Sequence, residues 1–232
     1  MNQVTVKHEK PGYLVSEAYK SLRTNLQFCG EDKKAIVVTS CTPNEGKSSV
    51  SLQLSISLAE SGKRVLLIDG DLRKSAMLGR TKARQQGTIM GLTHFLAGQC
   101  PVEEIICATD VKDFQIVFSG PFPPNPAELL GGKKFRSTIQ ALRKIYDYVL
   151  IDTPPLGSVI DSAIVAEICD GSVLIIESGV ISYRFAQQVK EQLEKSNCPI
   201  LGVVLNKVDM QKQNYGKYYG KYYGEYGAGG KK

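Results

Sequence analysis

Six short runs of nearly unbroken apolarity punctuate the chain: "AIVVTS" at 35–40, "RVLLID" at 64–69, "FQIVFS" at 114–119, "YVLID" at 148–152, "SVLIIE" at 172–177 and "ILGVVLN" at 200–206. A strand with one wet face alternates apolar and polar residues, whereas a continuous run requires cover on both faces. Between the runs lie helix candidates at 47–61, 133–146, 161–168 and 182–196. In the last of these Phe185, Val189 and Leu193 recur at helical spacing, and Pro199 follows its end. A further helix is expected over 14–28, with Leu14, Ala18, Leu22 and Leu26 on one stripe. Alternation of buried strands with helices predicts an α/β fold, a doubly wound and mainly parallel sheet. The expected organisation is an N-terminal extension and oligomerisation helix (1–30), a single α/β domain (31–210) and a tail (211–232).

Composition narrows the function classes. Outside the tail about 200 residues remain, enough for one domain with a sizeable core. The six cysteines are scattered without a CxxC pair and only two histidines accompany them. That excludes the usual zinc patterns and fits reduced thiols in a cytoplasm. No stretch approaches the roughly 20 apolar residues that span a bilayer. The net charge is +6, and five of the lysines stand in the tail. No basic helix or aromatic RNA-binding strand goes with that charge, so no nucleic-acid partner is expected.

Chemistry enters with "CTPNEGKSSV". Gly46-Lys47-Ser48 follows the first buried run directly and opens a helix, the context in which backbone N–H groups and a helix N-terminus cradle phosphates. Asn44, Glu45, Gly46, Lys47, Ser48 and Ser49 are therefore candidate nucleotide-binding residues. Lys47 would reach the β- and γ-phosphates, and the Ser48 hydroxyl would hold Mg²⁺. The pattern GxxxxGK[ST] asks for glycine at 41, where this chain has Cys41.

Two further strands end in acid. The buried strand within "YDYVLIDTPP" ends in Asp152, and "VLLIDGDLRK" carries Asp69 and Asp71, two residues apart and so on one side of an extended segment. In an open parallel sheet ligands bind beyond the carboxyl ends of the strands. Lys47, Asp69, Asp71 and Asp152 are accordingly the candidate catalytic residues, and Ser48, Asp71 and Asp152 the candidate metal ligands. "NKVD" at 206–209 fits the guanine-reading motif of GTPases. Against a GTPase, Pro155 stands where a glycine amide should meet the γ-phosphate, and proline has no N–H. Asn206 is instead expected to contact adenine, and ATP is the expected nucleotide.

Taken together, "CTPNEGKSS", "VLLIDGDLRK", "YDYVLIDTPP", "SGPFPPNPAELL" (119–130) and a tyrosine-rich C-terminus resemble the bacterial tyrosine kinases. The likeness is nearest to the Firmicute capsule and exopolysaccharide kinases that are separate cytoplasmic chains. The resemblance implies a P-loop NTPase fold of the deviant-Walker, MinD/ParA-like kind, with ATP and Mg²⁺ as cofactors. It places Lys47 and Ser48 in Walker A, Asp69 and Asp71 in A′, and Asp152 in B. It further implies a cytoplasmic protein recruited to the inner membrane face by a transmembrane activator, a chain-length protein of polysaccharide synthesis, and reversed by a tyrosine phosphatase. "SEAYKSLRTNLQF" is similar to a ring-forming ExxRxxR motif and implies a homo-oligomeric ring, an octamer being one such size. Glu17, Lys20 and Arg23 would make its contacts. Glu17 and Arg23, six residues apart, are expected to be free for partners on a neighbouring subunit. Two other readings stay open: a ParA/MinD-type partitioning ATPase, against which Thr42 stands at the position of the extra early lysine, and a GTPase using NKVD.

The tail completes the pattern. YGKY, YGKY and YGEY follow one another from Tyr215 to Tyr226. Frequent glycine and no apolar face predict disorder. Tyr215, Tyr218, Tyr219, Tyr222, Tyr223 and Tyr226 are the expected phosphorylation sites. A flexible tail of this length has a root-mean-square span of roughly 26 Å, enough to reach a neighbour in a closed oligomer.

Overall fold

The computed structural model describes residues 2–6, 12–81 and 89–209. The elements begin with β1 (Asn2–Val4), α1 (Tyr13–Phe28), β2 (Ala35–Ser40), α2 (Lys47–Glu60), β3 (Val65–Asp69) and α3 (Met77–Thr81). Next come α4 (Leu92–Leu96), α5 (Val102–Ile105), β4 (Ile106–Thr109), β5 (Phe114–Val117), α6 (Pro126–Gly131) and α7 (Lys133–Ile145). The described chain closes with β6 (Tyr148–Asp152), α8 (Asp161–Ala166), β7 (Gly171–Glu177), α9 (Tyr183–Glu194) and β8 (Ile200–Asn206). No described helix is long and apolar enough to cross a membrane.

The strands form one sheet in the order β1-β4-β5-β3-β6-β2-β7-β8. Every neighbouring pair is parallel except β4 with β5. The chain steps from β2 across to β3, and β6 later fills the place between them. Beyond β2 it continues the other way, to β7 and β8. The resulting switch point, at the carboxyl ends of β3, β6 and β2, is where such sheets bind ligands.

Both faces of the central strands are dry, as the continuous runs require: β2, β3 and β6 are buried at every residue. Ile36, Val38, Leu67 and Leu150 face a core built with α1 and α2, where Leu26, Leu54 and Leu58 are buried. Val37, Leu66, Ile68 and Ile151 face the other core, filled by Phe135 and Ile139 of α7, Val165 of α8, and Val189 and Leu193 of α9. Each such side chain stabilises the fold by about 1.5–3 kcal/mol relative to exposure. Five adjacent strands are thereby held in register, and with them the groups at their ends.

Three features differ from the sequence expectation. β8 is apolar but is the edge of the sheet, and Val203 and Leu205 are about half exposed. Continuous apolarity there reflects strand composition rather than two-sided cover. The stripe on α1 is covered only at its C-terminal end: Leu26 is buried, whereas Leu14 and Ala18 are exposed. The N-terminal extension is also more than a helix, because β1 extends the sheet against β4. The tail 211–232, with its six tyrosines, lies outside the described residues. By urea denaturation, Phe135→Ala should lower stability by about 3–5 kcal/mol. Leu205→Ala, on the half-exposed edge, should lower it by less than about 1 kcal/mol. Similar losses for the two would contradict the edge assignment.

Candidate active site

β2 ends at Ser40 and α2 starts at Lys47, so six residues must turn the chain and aim a helix N-terminus out of the sheet. The turn uses left-handed backbone at Asn44 (φ 69°) and Gly46 (φ 94°). A Cβ on Gly46 would also stand 2.2 Å from Nδ2 of Asn206, so glycine is required there by space as well as by φ. Cys41 is fully buried and its φ is not positive, which explains why the glycine of the motif is dispensable at this position. Burial pushes its thiol up to about 12, so it is not a nucleophile at neutral pH. The Glu45 carboxylate, itself buried, accepts from Thr42 N at 2.6 Å and from Glu177 N at 3.1 Å, bracing the loop against the end of β7. Gly46 gives α2 no side-chain cap, which leaves the positive end of the helix facing the loop's concavity.

Asp69 and Asp152 are paired in register at the ends of β3 and β6, next to the strand that launches the loop. Gly70 N donates to Asp152 O at 2.7 Å and draws the A′ segment over β6. Lys47 Nζ stands 3.3 Å from Oδ2 of Asp71, in an ion pair with little exposure. Oδ1 of Asp71 accepts from Lys74 N at 2.9 Å and Arg73 N at 3.3 Å. Asp152 is buried and accepts from Ser51 Oγ at 3.2 Å. Burial raises its pKa, opposed by the Lys47 charge and a hydrogen bond from Ser48. Asp69 is buried too and is pushed up to about 7, chiefly by burial and then by the charge of Asp152. Its Oδ2 accepts from Ser75 Oγ and, at 3.4 Å, from Ser119 N, whereas Oδ1 is buried without a hydrogen-bond partner among the described residues.

The site thus gathers Lys47, Ser48, Asp69, Asp71 and Asp152, and it sets Asn206 against the same loop. The Asn206 amide donates from Nδ2 to Glu45 O at 2.8 Å and so braces the loop from the end of β8. One pairing was missed. Arg73 grips the fully buried Asp161 of α8 with Nε at 2.7 Å and Nη2 at 2.9 Å. This bidentate fork anchors the segment that carries Asp71. The only sequence signal was an arginine two residues after Asp71; its partner, 88 positions away, gave none.

Residues 33–196 match the AAA domain family. A tyrosine-protein kinase CpsD of Streptococcus agalactiae is 45% identical over 202 residues, 87% of each chain. The chain belongs to the bacterial tyrosine kinases. Among solved structures, the chimerical protein CapA2B2 superposes on this kinase with a TM-score of 0.80 and 28% identity, covering 90% of this chain and 94% of that one. A septum site-determining protein MinD complexed with Mg-ADP, from Pyrococcus horikoshii, is less similar. Its TM-score is 0.65 at 25% identity, over 77% of this chain and 72% of that one.

No three acidic, histidine or cysteine side chains among the described residues form a metal cage by themselves. Mg²⁺ does not need one: it takes one or two carboxylates, keeps water, and binds nucleotide phosphates. The unpartnered Asp69 oxygen, the Asp152 and Asp71 carboxylates and the Ser48 hydroxyl are hard oxygen donors of the right kind. On α1 the kinase departs from expectation. Glu17 is paired with Lys20 at 2.7 Å, and Arg23 Nη1 donates to Ser57 O on α2 at 2.8 Å. Both ends of the motif therefore have partners within the chain.

A buried carboxyl raised towards 7 is favoured in its protonated form. Its contribution to stability is present below pH ~4 and is lost as pH rises through 7. In nucleotide-free protein at pH 8, Asp69→Asn should therefore raise stability by roughly 1–3 kcal/mol, an advantage that shrinks towards pH 5. Thermal melts across that range measure it; a loss of stability at pH 8 would contradict the buried-charge assignment.

Proposed function

We propose that this kinase uses ATP and Mg²⁺ to phosphorylate the tyrosines of its own C-terminal tail on a neighbouring copy. The observation that supports this most strongly is the convergence of Lys47, Asp71, Asp69 and Asp152 at adjacent strand ends, beside an uncapped helix N-terminus. Asn44 to Ser49 would cradle the phosphates, with Lys47 leaving Asp71 for the β- and γ-phosphate oxygens. Bound Mg²⁺ would neutralise phosphate charge, held by Ser48 and Asp152 with Asp71 at its edge. Released from Lys47, Asp71 can accept the tyrosine proton as the phenolic oxygen bonds to the γ-phosphorus and the bond to the bridging oxygen breaks. The products are ADP and phosphotyrosine.

The tail is the fitting substrate on charge as well as reach. It carries a formal +4, and six phosphates would bring about −9 to −12. A cationic substrate becomes a polyanion that a site rich in carboxylate and phosphate repels. The same reading makes α1, with Glu17, Lys20 and Arg23, the contact of a ring such as an octamer, in which Arg23 would share itself between Ser57 and a neighbour. It also makes the kinase a cytoplasmic regulator of capsular or extracellular polysaccharide synthesis, recruited to the membrane by a transmembrane chain-length protein and reset by a tyrosine phosphatase.

Lys47→Met should abolish phosphotyrosine in purified protein supplied with ATP, Mg²⁺ and activator; undiminished label would overturn the proposal. Asp152→Asn should weaken Mg-nucleotide binding and turnover together. Asp71→Asn should lower turnover by about 100-fold or more with a smaller effect on affinity. Binding and rate profiles that coincide for the two variants would contradict the division of roles.

A further inference from the structure

Within the described residues the chain beyond β8 turns back onto the phosphate loop. Lys207 has left-handed backbone (φ 55°), and so has Asn44 on the loop (φ 69°). Neither is glycine, and such conformations persist where the surroundings over-determine them. Here the two are bonded to each other: Lys207 Nζ donates to Asn44 O at 2.7 Å and meets Oε2 of Glu177, at the end of β7, at 2.8 Å. Next to it, Asn206 Nδ2 holds Glu45 O, and Glu177 N is held by the Glu45 carboxylate. The two outermost strands on this side of the sheet thus clamp three consecutive loop residues, Asn44 to Gly46, the last by packing of Asn206 against its Cα.

We propose that Lys207 is a positioning residue for phosphate binding: its ammonium bridges Asn44 and Glu177 and holds the loop in the conformation that points its N–H groups inward. Alternating right- and left-handed residues turn successive N–H groups into one anion-binding concavity, and Asn44 is one of the left-handed members. The Lys207–Glu177 pair is itself 46% and 23% exposed. An ion pair this open adds little to global stability, so its consequence should be local. This assigns the "NK" of the motif to the phosphates, whereas a GTPase-like role would assign it to the base. The inference rests on the P-loop kinase reading of the same site.

Calorimetric titration with MgADP, Mg-pyrophosphate and adenosine, together with steady-state phosphorylation of a tyrosine peptide, tests it. Lys207→Ala should weaken MgADP and Mg-pyrophosphate by about tenfold or more, in parallel, and leave adenosine binding and the ADP-over-GDP preference unchanged. Its KM for ATP should rise by more than its kcat falls, and Lys207→Arg should recover most of the affinity. A role confined to general stability would lower the melting temperature without that split between phosphate and nucleoside. Equal MgADP affinity in Lys207→Ala and the unaltered chain would overturn the inference alone, as would loss of adenosine binding or of ADP preference. Absence of MgADP binding by the unaltered chain would overturn the kinase reading and the inference with it.

Discussion

Three carboxylates, Asp69, Asp71 and Asp152, are held within the ends of two neighbouring strands, and two of them are nearly inaccessible to water. Like charges placed so closely in a poorly polarisable setting repel unless protons or cations intervene. The surroundings are arranged around that constraint. Lys47 lies against Asp71, Ser51 donates to Asp152, Ser75 and Ser119 donate to Asp69, and Gly70 lets the A′ segment close over β6. One oxygen of Asp69 still finds no hydrogen-bond donor among the described residues. Such an arrangement is costly by itself, and a divalent cation with its phosphates would relieve it.

The phosphate loop supplies the opposite charge. It is rigid for reasons spread over the sheet: Glu45 ties it to β7, Asn206 and Lys207 tie it to the end of β8, and glycine at 46 lets Asn206 approach. Five adjacent strands, from β3 to β8, each contribute a group to this loop or to the carboxylates it faces. Parallel order is what allows it, because only parallel strands bring all their carboxyl ends to one edge. The last described residues, Lys207 to Asp209, follow β8 at that same edge, where Lys207 meets the loop.

Much of this was legible in the residues. Strands buried on both faces leave continuous apolar runs, and β2, β6 and β8 were found with their bounds. Gly46-Lys47-Ser48 and the strand-ending aspartates were equally plain, because local sequence alone decides a tight turn into a helix. Elements of a few residues, such as β1, β4 and α3, leave no period to detect. The apolar run of β8 predicts cover on both faces, because composition reports strand preference and not what lies beside the strand. Arg73 with Asp161, and Lys207 with Asn44, are pairings between distant positions, visible only once the sheet has been ordered. Asn206 shows the other limit: its hydrogen bond to the loop, 161 positions away, leaves no local sequence signal.

Under the proposed function, one copy's phosphate site modifies the next copy's tail. Mixing two inactive-alone partners measures it directly: Lys47→Met with its tail intact, and an otherwise unaltered chain whose six tail tyrosines are phenylalanine. After addition of ATP, Mg²⁺ and activator, mass spectrometry should find phosphate on Tyr215 to Tyr226 of the Lys47→Met chain, rising with the concentration of the other. A Lys47→Met tail that stays unmodified at every ratio would contradict the account.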